Sequence, residues 1–255
     1  MKRIERNDSG QVALIVVLIT VVMGVIVLSV LSRSIADLRL VGVEESSAKA
    51  LKAAEAGVEE ALRNLTVGTL NGDLNQVNYT VTTSLEGTDG VVSAVGIEQG
   101  EVFEVRLRPL PIGGTFPTGL DVYWGDEANP LESPAGAVEV IKYQLRAGDD
   151  LAVHEAHDPD VTRRVSNNFA VPAGNNPGVF EGVNFLVRAR IALVVQDRLV
   201  RIRPLYKTAR IGVRPVGGVL PDQFYRIVST GSTADGVVRK VEVARGVSAL
   251  PPVFD

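Results

Sequence analysis

The densest run of groups that could bind or transfer anything in this 255-residue chain is His154-Glu155-Ala156-His157-Asp158-Pro159-Asp160. It holds both histidines of the chain. Imidazole and carboxylate together suit zinc, or calcium if more oxygens join. The spacing is not that of a zinc-binding helix, because the second histidine follows the first by three residues rather than four. Asp158-Pro159 points to a polar loop. His154, His157, Asp158 and Asp160 are therefore weak metal candidates, with Asp149 and Asp150 near enough in sequence to add oxygen ligands; a plain polar loop is the simpler expectation. No cysteine is present, which excludes disulfides, thiolate metal sites and thiol catalysis. There is no G-x-S-x-G, no phosphate loop and no nucleophile paired with a base, so neither an enzyme nor a cofactor is expected. Asn167-Asn168 and Asn175-Asn176, with Gly174 and Gly178, read as a polar loop that turn chemistry explains. Trp124, the single tryptophan, reads as a core anchor rather than a carbohydrate platform.

Two segments carry opposite charge. Residues 121–160 hold ten acidic side chains against Lys142 and Arg146, and residues 187–214 hold eight basic ones against Asp197. Arg188 and Arg190, then Arg201 and Arg203, alternate with apolar residues as outward strand positions do. The simplest reading is a set of solvated outward positions, on opposite faces or paired. A head-to-tail subunit contact by electrostatic complementarity is a second reading, and an anionic polymer such as DNA a third. Few aromatics accompany the basic segment, which counts against single-stranded nucleic acid. The net charge of −4 names no partner by itself.

The elements that must position these groups begin with an anchor. Hydrophobic residues make up 45% of the chain and are concentrated from Val12 to Leu31, broken only by Thr20, Gly24 and Ser29. No charged residue lies between Gln11 and Ser32. A helix of that length crosses the roughly 30 Å hydrocarbon core of a bilayer. A cleavable secretory signal would have a shorter apolar core followed by a small-residue cleavage site; here the run leads straight into helix-forming sequence. Lys2, Arg3 and Arg6 precede it and place the N-terminus on the cytoplasmic side. Residues 33–65 contain no proline and are rich in Ala, Leu, Glu, Lys and Arg. Leu31, Ile35 and Leu38, then Leu51, Ala54, Val58 and Leu62, recur at helical spacing. One helix from residue 11 to about 65 follows, with Asn71-Gly72 as the turn beyond it. Its second half could pack on the following domain, serve as a stem between subunits, or both. Ala13, Gly24 and Ser29 would allow close helix approach.

Past Leu65 the pattern changes to period two. Strands are predicted at 76–82, 102–108, 120–124, 138–143, 185–191, 199–203, 211–213, 225–229 and 237–243. Gly87 and Asp89-Gly90 mark turns, and residues 109–117 form the best linker. The fold class is α+β: a long N-terminal transmembrane and stem helix followed by a mainly antiparallel β-sandwich. The expected divisions are a basic leader at 1–10, a transmembrane half-helix at 11–32 and an extra-membrane half at 33–70. Strands packing on the helix at 71–110 and a sandwich at 111–255 complete them.

Arg6-Asn7-Asp8-Ser9-Gly10, followed by Gln11-Val12-Ala13-Leu14-Ile15-Val16-Val17-Leu18, resembles a class III signal, which prepilin peptidase cuts after a glycine. Ala53-Ala54-Glu55-Ala56-Gly57-Val58-Glu59-Glu60-Ala61-Leu62 is similar to the run that follows the anchor in PilX-type minor pilins and K-type pseudopilins. The resemblance covers the N-terminal third of the chain. It implies processing between Gly10 and Gln11, and a filament-core helix through Val12, Ala13, Leu14, Ile15, Gly24 and Leu31. It also implies a stem motif at Ala53, Ala54, Glu55, Gly57, Glu59 and Glu60. The implied partners are membrane lipid, other pilin subunits, prepilin peptidase and the pilus assembly platform. Two positions depart from the major-pilin pattern. Gln11 stands where Phe or Met is usual, and Ile15 where a glutamate pairs with a neighbouring subunit's amino terminus. An unpaired buried charge is costly, so losing that glutamate implies a minor or tip subunit, as in K-type pseudopilins. The resemblance thus implies a minor pilin or pseudopilin-like subunit of the inner membrane, N-terminus in and β domain outside, destined for a filament or the cell surface. The alternative is an anchored surface protein that never polymerises and whose sandwich binds a carbohydrate, a cation or another protein.

Overall fold

A computed structural model describes residues 9–146 and 150–247, with side chains from Leu14 onward except at Ala36, Asn175 and Asn176. The elements in chain order begin with α1 (Ser9–Asn64), β1 (Gly68–Leu74), β2 (Val77–Glu86), β3 (Val91–Val92), β4 (Phe103–Arg106), β5 (Gly119–Asp126) and β6 (Ala137–Gln144). They continue with β7 (Leu151–His157), α2 (Val161–Asn167), β8 (Gly174–Phe180), β9 (Val183–Ala192), β10 (Asp197–Leu205), β11 (Ile211–Val216), β12 (Phe224–Ser232) and β13 (Val238–Gly246). The chain is α+β, as its patterning predicts. It forms two compact units: Met1–Asn64, Thr69–Thr82 and Val228–Glu242 in one; Leu65–Gly68, Thr83–Ile227 and Val243–Asp255 in the other.

The first unit is built on α1, whose 56 residues span about 80 Å. Good helix formers and the absence of proline carry it without interruption. Arg63 sits in the last turn, where a cation favours the helix dipole. Leu65, at φ 40, ends the helix in a left-handed conformation. Strands β1, β2, β12 and β13 lie side by side in that order. The helix face buried on them is small: Ala50, Ala53, Ala54, Gly57, Val58 and Ala61. Leu51, predicted for the buried stripe, is instead 40% exposed. Small residues win this face because the sheet backbone comes very close. A Cβ added at Gly231 would fall onto the Ala50 carbonyl oxygen and stand 2.9 Å from the Ala54 nitrogen. Neither backbone atom can retreat, so Gly231→Val should cost about 2 kcal/mol. Thermal melting in detergent micelles should show a fall of roughly 5 °C; an unchanged midpoint would contradict this packing.

Asn71-Gly72 does not form the predicted turn; both residues lie inside β1. Gly72 is needed there because a side chain would occupy the place of the Tyr79 ring, and Asn71 accepts a hydrogen bond from Thr80 Oγ1 at 2.8 Å. The turn comes at Asn75 and Gln76, whose φ values of 52 and 68 suit a tight two-residue hairpin.

The second unit is a sandwich of two antiparallel sheets, ordered β4-β10-β6-β7 and β3-β11-β5-β9-β8. Both contribute to one core. Val105, Val138, Val140, Val200 and Ile202 come from the first, and Leu120, Val122, Trp124, Ala189, Ile191 and Ile211 from the second. Trp124 is fully buried and donates its indole N–H to Gly136 O at 2.9 Å, the anchoring role its sequence context predicts. The stretch predicted as a linker lies inside this unit. Leu107 and Leu120 hold its ends in the core, and the Arg108 guanidinium lies 4.6 Å from the centroid of the Phe116 ring. The compact units therefore divide elsewhere than at residues 110 and 111.

Two segments expected as loops are ordered elements. His154 to His157 belong to β7, paired with β6 from Val138↔His157 to Gln144↔Leu151. Gly174 to Gly178 belong to β8, which pairs β9 with a register shift between Asn175 and Gly178. Glycine, asparagine and proline masked that strand in the sequence. A short helix, α2, also follows residue 65; Asp160 caps its start and Asn168, at φ 57, its end.

Candidate functional site: the exposed apolar helix

The N-terminal half of α1 presents apolar side chains on all sides. Every Leu, Ile, Val and Met from Leu14 to Val43 is exposed, between 48% at Ile15 and 73% at Leu38. Nothing lies within 4 Å of the Cβ position of Gly24. Thr20, one of the polar interruptions, returns its hydroxyl to Val16 O at 2.8 Å, so that donor does not face an apolar medium unpaired. Burying one Leu, Ile or Val gains roughly 1.5–3 kcal/mol, so this surface in water would forfeit on the order of tens of kcal/mol. The helix is long and apolar enough to cross a membrane. Gly10 and Gln11 both lie within α1, as do Val12 and Ala13; the side chains of these last three and the leader through Asp8 lie outside the described residues. Leu14, Ile15 and Leu31 point outward with the rest.

The predicted stem motif divides by face. Ala53, Ala54 and Gly57 are buried on the sheet, with the Tyr79 ring and Ser229 Oγ against Gly57. Glu55 and Glu59 are exposed, while Glu60 accepts a hydrogen bond from Tyr79 OH. That bond and burial both raise the Tyr79 phenol above its ordinary value. Farther up the helix, Ser46 donates to Asp235 at 3.1 Å and Arg239 donates to Ser47 at 2.8 Å. These ties fix α1 to the β12–β13 hairpin below Val43 and leave the apolar half free.

The histidine cluster does not converge. His154 and His157 sit three places apart on a strand, so they face opposite sides of the sheet. His154 meets Glu139 at 3.0 Å, while His157 lies 3.7 Å from Glu155, which also pairs with Lys142. Asp158 is taken up by Arg163 and Asn167, and Asp160 by the start of α2. Among the described residues no three ligating groups come together; Asp149 lies outside them. The weak metal candidates His154, His157, Asp158 and Asp160 are thus not gathered into one site: β7 splits the histidines, and α2 takes up the carboxylates.

Five of the eight basic side chains of the second segment meet acids of the first. Asp126 pairs with Arg210 at 3.4 Å and Glu139 with Arg203, while Asp121 receives Arg190 at 2.7 Å. Glu104 adds Arg201 at 2.6 Å. The sheet register sets this up, with Asp121 opposite both Arg190 and Arg214, and Glu139 opposite Arg203. Cross-strand pairing, rather than opposite faces, is the arrangement found.

These pairs make stability acid-sensitive. Burial pushes the Asp121 carboxyl up, but the Arg190 hydrogen bonds and three guanidinium charges outweigh it and hold it below the ordinary 3.8. At Glu139 burial is likewise outweighed, by His154 and Arg203. At Glu155 the nearby His157 lowers the carboxyl most, burial opposes it, and Lys142 lowers it further. A carboxylate depressed in the folded state stabilises fully above its unfolded value and loses that contribution as pH falls through its folded value. The melting temperature should therefore be flat between about pH 5 and 7 and fall below about pH 4. Asp121→Asn should make that fall shallower; an identical acid limb would contradict the assignment.

No protein-family model, curated protein or solved structure matches this chain; it carries one long N-terminal apolar helix followed by an antiparallel β domain.

Proposed function

We propose that the chain is a minor type IV pilin or pseudopilin-like subunit. It is held in the cytoplasmic membrane by residues 11–32, N-terminus in and β domain outside, before it joins a filament or its initiating tip. The observation that carries this reading is the bare apolar half of α1, continuous with a half fixed to its own sheet. Membrane lipid covers the first half before assembly, and neighbouring pilin helices cover it afterwards. Support also comes from Gly10 ahead of the uncharged span, from the basic leader and from the Ala53–Leu62 run. Ile15 in place of glutamate favours a minor or tip subunit. The role is structural, without catalysis.

The prepilin peptidase and the assembly platform are the expected partners. The test uses the encoding organism. Surface filaments sheared from the cells should contain this chain in small amounts relative to a major subunit, and Gly10→Ala should confine it to the membrane. A chain found only in the membrane, whatever stands at residue 10, would favour a non-polymerising anchored binding module.

A further inference from the structure

The outer face of the five-stranded sheet carries a charge that the protein does not balance. Asp121 on β5 is fully buried, and three arginines converge on it. Arg190 takes both its oxygens, Nε to Oδ1 at 2.7 Å and Nη2 to Oδ2 at 2.9 Å. Arg188 and Arg214 stand 3.9 Å and 3.6 Å from Oδ2, at ion-pair but not hydrogen-bond distance. Neither of those two guanidiniums makes a hydrogen bond to the protein among the described residues, and Arg188 Nε is shielded from solvent without a partner. Three guanidiniums sharing one carboxylate leave two positive charges on a surface where Arg188 is 34% and Arg214 49% exposed.

The arginines are also held in place. Ala189 and Ile191 point into the core, so Arg188 and Arg190 must face outward on β9. Arg214 lies 6.0 Å from the Tyr123 ring centroid, and that ring stacks on Phe180 at 5.2 Å. Asp121 gathers the cations, and Arg190 neutralises it.

We infer that Arg188 and Arg214, positioned by Asp121 and Arg190, form a binding site for a phosphate group. Two observations favour phosphate over a carboxylate. The uncompensated charge matches the roughly −1.5 to −2 of a phosphate near neutral pH. The two open guanidiniums approach from β9 and β11, on either side of β5; a tetrahedral group with several free oxygens can accept from both, whereas a carboxylate brings two coplanar oxygens and a single negative charge. Tyr123 is buried and offers no stacking surface, so recognition rests on charge and hydrogen bonds. The group can arrive as free phosphate or as the phosphate of an ester.

The full chain in detergent micelles is titrated calorimetrically with sodium phosphate, and in parallel with glycerol 3-phosphate, against sodium chloride at matched ionic strength. Saturable one-site binding is expected with at least one phosphate probe. Preference for the inorganic ion or for the ester identifies the source, and either supports the site. Arg188→Gln and Arg214→Gln should each weaken binding about tenfold and together abolish it. The double variant should still fold, as a cooperative melt in the same micelles would show, because Arg190 keeps both oxygens of Asp121. Heats indistinguishable from the chloride control, or equal affinity in both variants, would overturn the proposal.

Discussion

Placing arginine at both Val22 and Ile26 should release the full-length chain from the membrane fraction. Both positions lie within the uncharged span, both are exposed on α1, and no surrounding protein shields them. An arginine near the centre of a spanning helix costs about 2.5–3.5 kcal/mol on the insertion scale, where the residue it replaces contributed about −0.3 to −0.6. The pair therefore shifts the balance by roughly 6 kcal/mol, enough to reverse insertion for most of the chain. Alkaline extraction of membranes followed by immunoblotting reads the result directly. A matched pair, Leu40→Arg with Val43→Arg, falls among Arg33, Asp37, Arg39 and Glu44, outside the span, and should leave the chain membrane-bound. Equal retention of both variants would mean that residues 14–32 are not what holds the protein.

Arg163→Leu should strongly destabilise the second unit. Asp158 is fully buried. Arg163 gives it Nε at 3.0 Å and Nη2 at 2.7 Å, Asn167 adds 2.8 Å, and the Asp160 amide adds 2.9 Å. Burial alone would raise this carboxyl, but those donors hold it below its ordinary value, chiefly through Arg163. Without the guanidinium a buried carboxylate keeps only neutral donors, a loss worth about 3–5 kcal/mol. The melting temperature in micelles should fall by roughly 10 °C. Arg163→Lys should recover only part, because a point charge cannot reproduce the fork. A fall of less than about 2 °C would show that the pair is dispensable.

Legibility in the sequence followed the strength of local pattern. The helix was readable almost to the residue: an uncharged apolar run followed by proline-free helix formers admits one interpretation, and Ser9–Asn64 answers an expected 11 to about 65. The nine strands with clean alternation were readable for the same reason. β1, the two-residue β3, β7 and β8 were not. In β1, Asn71-Gly72 carries a turn signature, yet its glycine serves close approach to Tyr79, a contact made only once β1 and β2 pair. In β7 the polar residues His154 and Glu155 face Glu139 and Lys142, both supplied by β6, which local sequence does not reveal. The predicted stripe of α1 is buried at Ala54 and Val58 but not at Leu51, because the sheet backbone admits only small side chains there; Gly231 inside β12 is the sequence signal of that close approach. The convergence of Arg188, Arg190 and Arg214 on Asp121 depends on the register of β5 with β9 and β11, so spacing could supply only the alternation.

Co-expression with a prepilin peptidase tests the proposed pilin-type precursor most directly. Intact-mass measurement of the purified chain should show loss of residues 1–10 and a new N-terminus at Gln11, and Gly10→Ala should abolish that loss. A chain that keeps its full N-terminal mass beside an active peptidase, one that cleaves a known prepilin in the same cells, would contradict it.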